Sequence, residues 1–274
     1  MSGREEERRP RVVVVTVSLN AARGLEETIN SVISQTYPNM EFIVVDGGST
    51  DNSQDVIDKY SDKITSWVSE PDEGVYDAMN KGVALGSGEW VIFMNAGDCF
   101  DGPNVVADVF SLALGGCGLV YGNHKVLYED GFERLHCAGD VCNLWKGMIF
   151  SHQAVFVRMK LLNGNPFCLS DPIGADFKLL FNLYRSGVSL LKTDVVISKV
   201  RSHGLSDKYR FRSIVSHFRV VRRCGKEVYV YVYYAVAILD MVLRKVVKSV
   251  LPHKLNCLIL KLKYRLIRQG GAHN

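Results

Sequence analysis

Residues 12–48 read VVVVTVSLNAARGLEETINSVISQTYPNMEFIVVDGG. Val12 to Leu19 is a continuous run rich in β-branched side chains, the composition of a strand covered on both faces in a parallel sheet. Leu25, Ile29, Val32 and Ile33 then fall at helical spacing, and Pro38 stops that helix. Glu41 to Val45 is a second strand, ending at Asp46-Gly47-Gly48.

The alternation continues outward from this unit. Ser49-Thr50-Asp51 can cap a helix whose Val56, Ile57 and Tyr60 face inward. Ile64 to Val68 is a third strand, Val75 to Leu85 a helix closed by Gly86, and Glu89 to Met94 a fourth strand. Strands and helices alternating at this spacing mean an α/β, Rossmann-like, mostly parallel sheet flanked by helices. Ligands of such sheets sit beyond the carboxyl ends of the strands. Polar residues stand at each of those ends: Asn20, Asp46, Glu70 with Asp72, and Asp98. A strand-terminal Asp such as Asp98 needs a partner, whether a backbone turn, a basic side chain or a metal ion.

Beyond residue 100 the pattern loosens. Leu119 to Tyr121 is a strand, and residues 122–150 have hairpin character with the turn at Glu129-Asp130-Gly131. Ala154 to Val157 is a strand, Ala175 to Tyr184 a helix, and Val188 to Val200 contains further strand. The tryptophans at 67, 90 and 145 read mainly as core, with stacking on a sugar ring the other reading for Trp145.

Charge divides the chain. Residues 1–200 hold 17 Lys/Arg against 26 Asp/Glu, whereas residues 201–274 hold 16 against 3, so an acidic body carries a basic tail. Nucleic acid fits poorly, since the body is acidic and no binding motif is present. Val228 to Leu239 is almost uncharged but falls short of the roughly 20 apolar residues that span a bilayer. Residues 242–269 alternate aliphatic and basic residues, a composition suited to an amphipathic helix on an anionic membrane surface; a helical pair with a solvated basic face is the alternative. Seven cysteines without a CxxC pair suggest reduced thiols and the cytosol. The charged start, MSGREEERRP, reads as a disordered lead-in over residues 1–10, with no apolar signal segment.

Five stretches carry a resemblance: VVTVSLN (14–20), QTYPN (35–39), VVDGGSTDNS (44–53), SEPDEGVYDAMNKG (69–82) and NAGD (95–98). In this order and spacing the sequence resembles the family 2 glycosyltransferases with their GT-A fold, nearest to bacterial enzymes of capsule and exopolysaccharide synthesis of the colanic-acid kind. The resemblance is dense over 11–100 and thinner over 150–210. It implies a catalytic domain over 11–212, with a nucleotide-sugar half (11–100) and an acceptor half (101–212); beyond it, the basic charge and aliphatic spacing read as a helical, membrane-associating extension over 213–274.

The resemblance also implies roles. The donor site would be lined by Asn20, Asp46, Gly47, Asp72, Asp77, Asn80, Lys81, Asn95, Ala96, Gly97 and Asp98. Asp46 and Asp72 would grip the nucleoside; a tight turn is the plainer reading of Asp46. Asp98, with His203 of RSHGLSDKY as a second ligand, would hold a divalent cation, Mn or Mg, on the diphosphate. NAGD keeps only the last acid of the DxD-type pair usual in the family. Asp176 of GADFKLL would be the base of an inverting transfer, and an Asp in a first helical turn is also favourable with the dipole alone. His152 and Gln153 of SHQAVF would contact the acceptor. Lys208 and Arg210 would neutralise phosphate, or form a solvated basic loop.

The implied activity is a hexosyl- or N-acetylhexosaminyltransfer from a nucleotide-sugar, a UDP-sugar, to a lipid-linked glycan at the cytoplasmic face of the inner membrane. Alternatives are transfer to polyprenyl phosphate and a non-catalytic nucleotide-sugar-binding protein. A nucleotide-binding oxidoreductase is disfavoured, because the first strand–helix turn, SLNAARG, has no GxGxxG fingerprint.

Overall fold

A computed structural model of the chain describes residues 9–202, 209–225 and 227–250. The chain divides into two compact units, residues 1–208 and 209–274.

In the first unit, β1 (Val12–Ser18) is buried at all seven positions and runs parallel to β2 (Met40–Asp46) on one side and β4 (Trp90–Phe93) on the other. The β3 strand (Ser66–Ser69) lies parallel to β2. Helices α1 (Ala22–Ile33), α2 (Ser53–Lys59) and α3 (Val75–Leu85) connect these strands. Val12, Val14, Phe42, Val44 and Ile92 share one core with Leu25, Ile29 and Val32 of α1 and Ile57 of α2. Gly82 lets α3 approach β1 closely, since a Cβ there would lie 2.3 Å from Val15 Cγ1.

The rest of the unit is β5 (Cys99–Phe100), α4 (Val105–Phe110), β6 (Leu119–Leu127), β7 (Glu133–His136), β8 (Val155–Arg158), α5 (Ala175–Arg185) and β9 (Leu190–Arg201). One sheet results, in the order β3-β2-β1-β4-β8-β6-β9-β5, with β7 paired to β6. The β1–β4 half is parallel, β8 enters antiparallel between β4 and β6, and β9 runs parallel to β6. The β6–β7 hairpin turns where expected, with Gly131 at φ 78°.

Three expectations shift. The first helix ends at Ile33, short of Pro38, because Gln35 ties the following loop to the Gly102 carbonyl at 2.7 Å and to the Val106 amide at 3.2 Å. The third strand begins at Ser66 rather than Ile64, where it pairs with Ile43, and Trp67 is 41% exposed on this sheet edge rather than core. The strand from Leu119 runs to Leu127, held on its far part by β7 and β9.

The second unit contains α6 (Arg210–Cys224) and α7 (Val228–Val250). Phe218 of α6 packs on Tyr231 and Tyr234 of α7, with ring centroids 5.5 and 5.2 Å apart. Val230 and Tyr234 are buried, while Val228, Tyr229, Val232, Val236, Leu239 and Leu243 are exposed. Among the described residues no helix is long and apolar enough to cross a membrane. The amphipathic segment expected over 242–269 lies outside the described residues beyond position 250.

Candidate active site

The parallel register sets Ser18, Asp46 and Ser69 side by side at the carboxyl ends of β1, β2 and β3. Asp46 is 1% exposed and accepts from the Ser49 amide at 2.9 Å, the Ser69 hydroxyl at 2.7 Å and the Ser49 hydroxyl. Its oxygens are turned into the loop, so it is a loop organiser with little oxygen left to reach. Asn20, at φ 49°, accepts from the Thr50 amide at 2.8 Å and donates its own amide to Ser49 Oγ at 2.7 Å, tying β1 to that loop. Asp51 spans two helix starts, bonding Ser53 in α2 and the Ala22 amide of α1.

Asp72 lies across Gly47: a Cβ on Gly47 would meet its Oδ2 at 2.3 Å. Among the described residues, Asp72 Oδ1 accepts from the Gly74 amide at 2.8 Å. Asp77 accepts from the Glu73 amide and faces Lys81, whose ammonium also meets Glu70 at 2.9 Å and the Pro71 carbonyl at 3.0 Å. The Glu70 hydrogen bond, with the Asp77 charge beside it, raises the Lys81 pKa against the lowering effect of burial. Asn80, 3% exposed, accepts from and donates to the Phe167 backbone, both at 2.9 Å. A buried amide with both ends committed pins the Phe167 loop.

The NAGD turn is clamped by α1. Thr28 Oγ1 accepts the Gly97 amide at 2.9 Å and donates toward the Asp98 carbonyl at 2.7 Å. Gly24 sits against Gly97, leaving 3.0 Å where a Cβ would stand, and Gly97 takes φ 98°. The Ala96 amide bonds the Val17 carbonyl, fastening the turn to the end of β1. Asp98 Oδ1 accepts from the Arg201 amide at 3.2 Å and Oδ2 from Gln153 Nε2 at 2.8 Å. Burial pushes its pKa up to about 6, against the pull of His152, the Arg201 amide and Gln153.

Asp176 opens α5 and reaches the same place. Its Oδ1 accepts from the Tyr76 hydroxyl at 2.9 Å and the Phe177 amide at 2.8 Å, and its Oδ2 faces His152 Nδ1 at 3.3 Å. Burial works to raise its pKa, but His152, the Phe177 amide and Tyr76 hold it below the usual carboxylate range. Burial and then the Asp176 charge raise the pKa of Tyr76. His152 and Gln153, on a short 3₁₀ turn ahead of β8, therefore reach two carboxylates from opposite halves of the chain.

Asp98 carries hard oxygen donors suited to Mg²⁺ or Mn²⁺, yet no group of three or more metal-ligating side chains occurs among the described residues. The residues thus fit a cation shared with substrate phosphates, held by Asp98 alone from this region, rather than a protein-built cage. His203 and Lys208 lie outside the described residues, and Arg210 opens α6 in the second unit. Sequence reading passed over Gly24, Thr28, Ser69 and Arg201. The Arg201 side chain meets Glu27 and lies over Gly97, where a Cβ would stand 3.4 Å from its Cδ.

A family model described as glycosyl transferase family 2 matches residues 13–167. An uncharacterised glycosyltransferase of Mycobacterium tuberculosis is 42% identical over 127 residues, 46% of this chain and 47% of that protein. A PGL/p-HBAD biosynthesis glycosyltransferase of Mycobacterium bovis is 31% identical over 175 residues, 61% of this chain and 67% of that protein. The chain thus spans about half to two thirds of the length of these relatives. A mannosyltransferase from Pyrobaculum calidifontis, solved with GDP-Man and Mn²⁺, has the same fold: TM-score 0.65, 97% of this chain, 84% of that one, 20% identity.

Proposed function

The chain belongs to glycosyl transferase family 2, and from that membership we propose that it transfers a sugar with inversion from a nucleotide-sugar, a UDP-sugar first among them, to a hydroxyl of a lipid-linked glycan. The observation that carries the reading is the junction at His152-Gln153. Gln153 holds Asp98 at the donor edge, and His152 holds Asp176 on the other side. An inverting transfer asks for that arrangement: one carboxylate at the departing diphosphate and another on the acceptor side.

Asp72, with Oδ2 above Gly47, is the side chain best placed for nucleoside hydrogen bonds, while Asp46 and Asn20 shape the loop beneath it. Asp98 would hold a divalent cation together with the diphosphate, and the cation would supply charge neutralisation for the leaving group. Asp176 provides the negative charge that activates the acceptor. A neighbour of like fold crystallised with GDP-Man and Mn²⁺ supports a nucleotide-sugar donor and a divalent cation. The second unit would rest on the anionic cytoplasmic face of the inner membrane, bringing the first to a lipid-borne acceptor; its exposed apolar α7 and arginine-bearing α6 support this.

The test is thermal stabilisation of the full chain by UDP, GDP, CMP or NAD, each with Mn²⁺, Mg²⁺ or EDTA. A shift with a nucleoside diphosphate that disappears with EDTA, and in Asp98→Ala, supports the reading. A shift with NAD alone, or with no nucleotide, sinks it.

A further inference from the structure

Asp176 is crowded with donors, and its neighbour His152 is not. Three hydrogen-bond donors occupy the carboxylate: the Tyr76 hydroxyl and Phe177 amide on Oδ1, and His152 Nδ1 on Oδ2. A carboxylate so satisfied has little lone-pair density free for a substrate proton, and the side chain is only 13% exposed. A carboxylate can only accept, so the hydrogen between Oδ2 and the ring belongs to His152 Nδ1. In the neutral imidazole this leaves the lone pair on Nε2. That nitrogen has a long contact, 3.4 Å, with Asn95 Nδ2, itself a donor group and part of the NAGD turn. Nε2 therefore points from the acceptor-side carboxylate toward the donor edge.

Resting on the transferase reading, we propose that His152 Nε2 takes the acceptor proton, and that Asp176 acts through the ring by fixing its tautomer. The acceptor O–H gives its proton to Nε2 as the oxygen pair forms the bond to the anomeric carbon. The bond from that carbon to the diphosphate oxygen breaks, and its electron pair leaves on the nucleoside diphosphate. The imidazolium lies against Asp176 and then releases its proton to solvent. Asp176 on α5 and Asp98 in the turn after β4 are the charges that act on this ring, with the Tyr76 hydroxyl of α3 behind Asp176. It is Gln153, one residue on, that holds Asp98 by hydrogen bond.

The experiment uses the full chain with Mn²⁺ and a panel of UDP-glucose, UDP-galactose, UDP-N-acetylglucosamine and GDP-mannose, reading nucleoside diphosphate release. In His152→Ala, kcat should fall about 10²–10⁴-fold with donor KM within about threefold, the usual reach of general-base catalysis. Added imidazole should restore at least about tenfold of that loss in His152→Ala but none in Asp176→Asn, because it replaces only the missing base. A kcat within about fivefold of wild type, or a loss that imidazole does not relieve, overturns the proposal.

Should His152→Ala fail to fold, ¹⁵N-imidazole spectra of the wild type decide. The Nδ1–H tautomer near neutral pH supports the proposal, and the Nε2–H tautomer overturns it. Wild-type protein showing neither nucleotide stabilisation nor diphosphate release would sink the transferase reading, and this one with it. Stabilisation and release together with an unimpaired His152→Ala sink only the present inference.

Discussion

Gln153 Nε2 lies 2.8 Å from Asp98 Oδ2, so the residue beside the Asp176 partner also holds the carboxylate at the end of β4. Two donors and a nearby arginine do not offset the loss of water around that group, and burial keeps its pKa near 6. The ionised Asp98 is therefore a cost to the folded chain.

Replacing Asp98 with Asn should raise stability at pH 8. The folded pKa lies above the ordinary 3.8, so the stabilising, protonated state is fully present below 3.8 and is lost as pH rises through about 6. Removing the charge restores on the order of 1–3 kcal/mol at pH 8 and nothing near pH 4. Gln153 can turn its amide to meet the new one. Urea melts at the two pH values check this; a gain that persists at pH 4 would place its origin outside the ionisation of Asp98.

The β6–β7 hairpin should respond to acid in the opposite direction. His124 and His136 face each other across it, rings stacked at 5.1 Å, with His124 Nδ1 and His136 Nε2 buried and without hydrogen-bond partners among the described residues. Burial, then the His136 charge, lowers the His124 pKa to about 4. The folded value lies below the ordinary 6.5, so stability is complete above 6.5 and falls as pH drops toward 4. His124→Phe keeps the stack and should remove on the order of 1–3 kcal/mol of that loss. Melts of the variant with an unchanged slope between pH 6.5 and 4.5 would refute the assignment.

Much of this was legible in residues 12–100, because the signals there are local. The valine run, the helical spacing of Leu25, Ile29 and Val32, and the polar strand ends all lie within one βαβ unit of each other. What was not legible depends on contacts with no local period. Asn80 sits on a helix beside residues expected at the donor site, and its amide meets the Phe167 backbone. Thr28 looks like one more α1 residue until the NAGD turn folds onto it. Asp46 stands at a strand end where ligands bind, and the three donors it meets there come from Ser49 and Ser69. The ends of β9 and α5 converge on Asp98 and His152 only after β8 is inserted between β4 and β6.

Asn80→Ala distinguishes loop pinning from donor binding. Losing two buried hydrogen bonds and stranding the Phe167 backbone groups should cost about 2–3 kcal/mol. Nucleotide affinity of the folded fraction should stay within about twofold, which is below 0.5 kcal/mol. Calorimetric titration with UDP and Mn²⁺ checks it; a tenfold weaker Kd at unchanged stability would return Asn80 to the donor pocket.

Two glycines should separate the same way. In Gly47→Ala the new methyl meets Asp72 Oδ2 at 2.3 Å, the far end of a side chain that can swing aside. Displacing that carboxylate should weaken UDP binding about tenfold, near 1.4 kcal/mol, with little change in Tm. In Gly82→Ala the methyl meets Val15 Cγ1 at 2.3 Å inside the sheet core, which should cost about 1–3 kcal/mol of stability. The folded fraction of Gly82→Ala should bind nucleotide normally. A Gly47→Ala protein with unaltered UDP affinity would remove Asp72 from the nucleoside site.

The second unit makes the last prediction. Val228, Tyr229, Val232, Val236, Leu239 and Leu243 are exposed along α7, and α6 ends on Arg222 and Arg223 without an acidic residue in its first turn. A helix apolar on most sides is ordinarily covered, and arginines beside it suit anionic headgroups. The full chain should sediment with phosphatidylglycerol vesicles far more than with phosphatidylcholine ones, and less as salt rises. Reversing Arg219 and Arg223 to Glu should weaken that binding at least about tenfold, taking roughly 1 kcal/mol per basic side chain at such a surface. Val232→Ser with Leu239→Ser should weaken it in both low and high salt, because the apolar contribution is not screened. Binding that ignores lipid charge, or a chain that stays with itself as a salt-insensitive dimer and leaves vesicles alone, would assign the α7 face to protein rather than lipid.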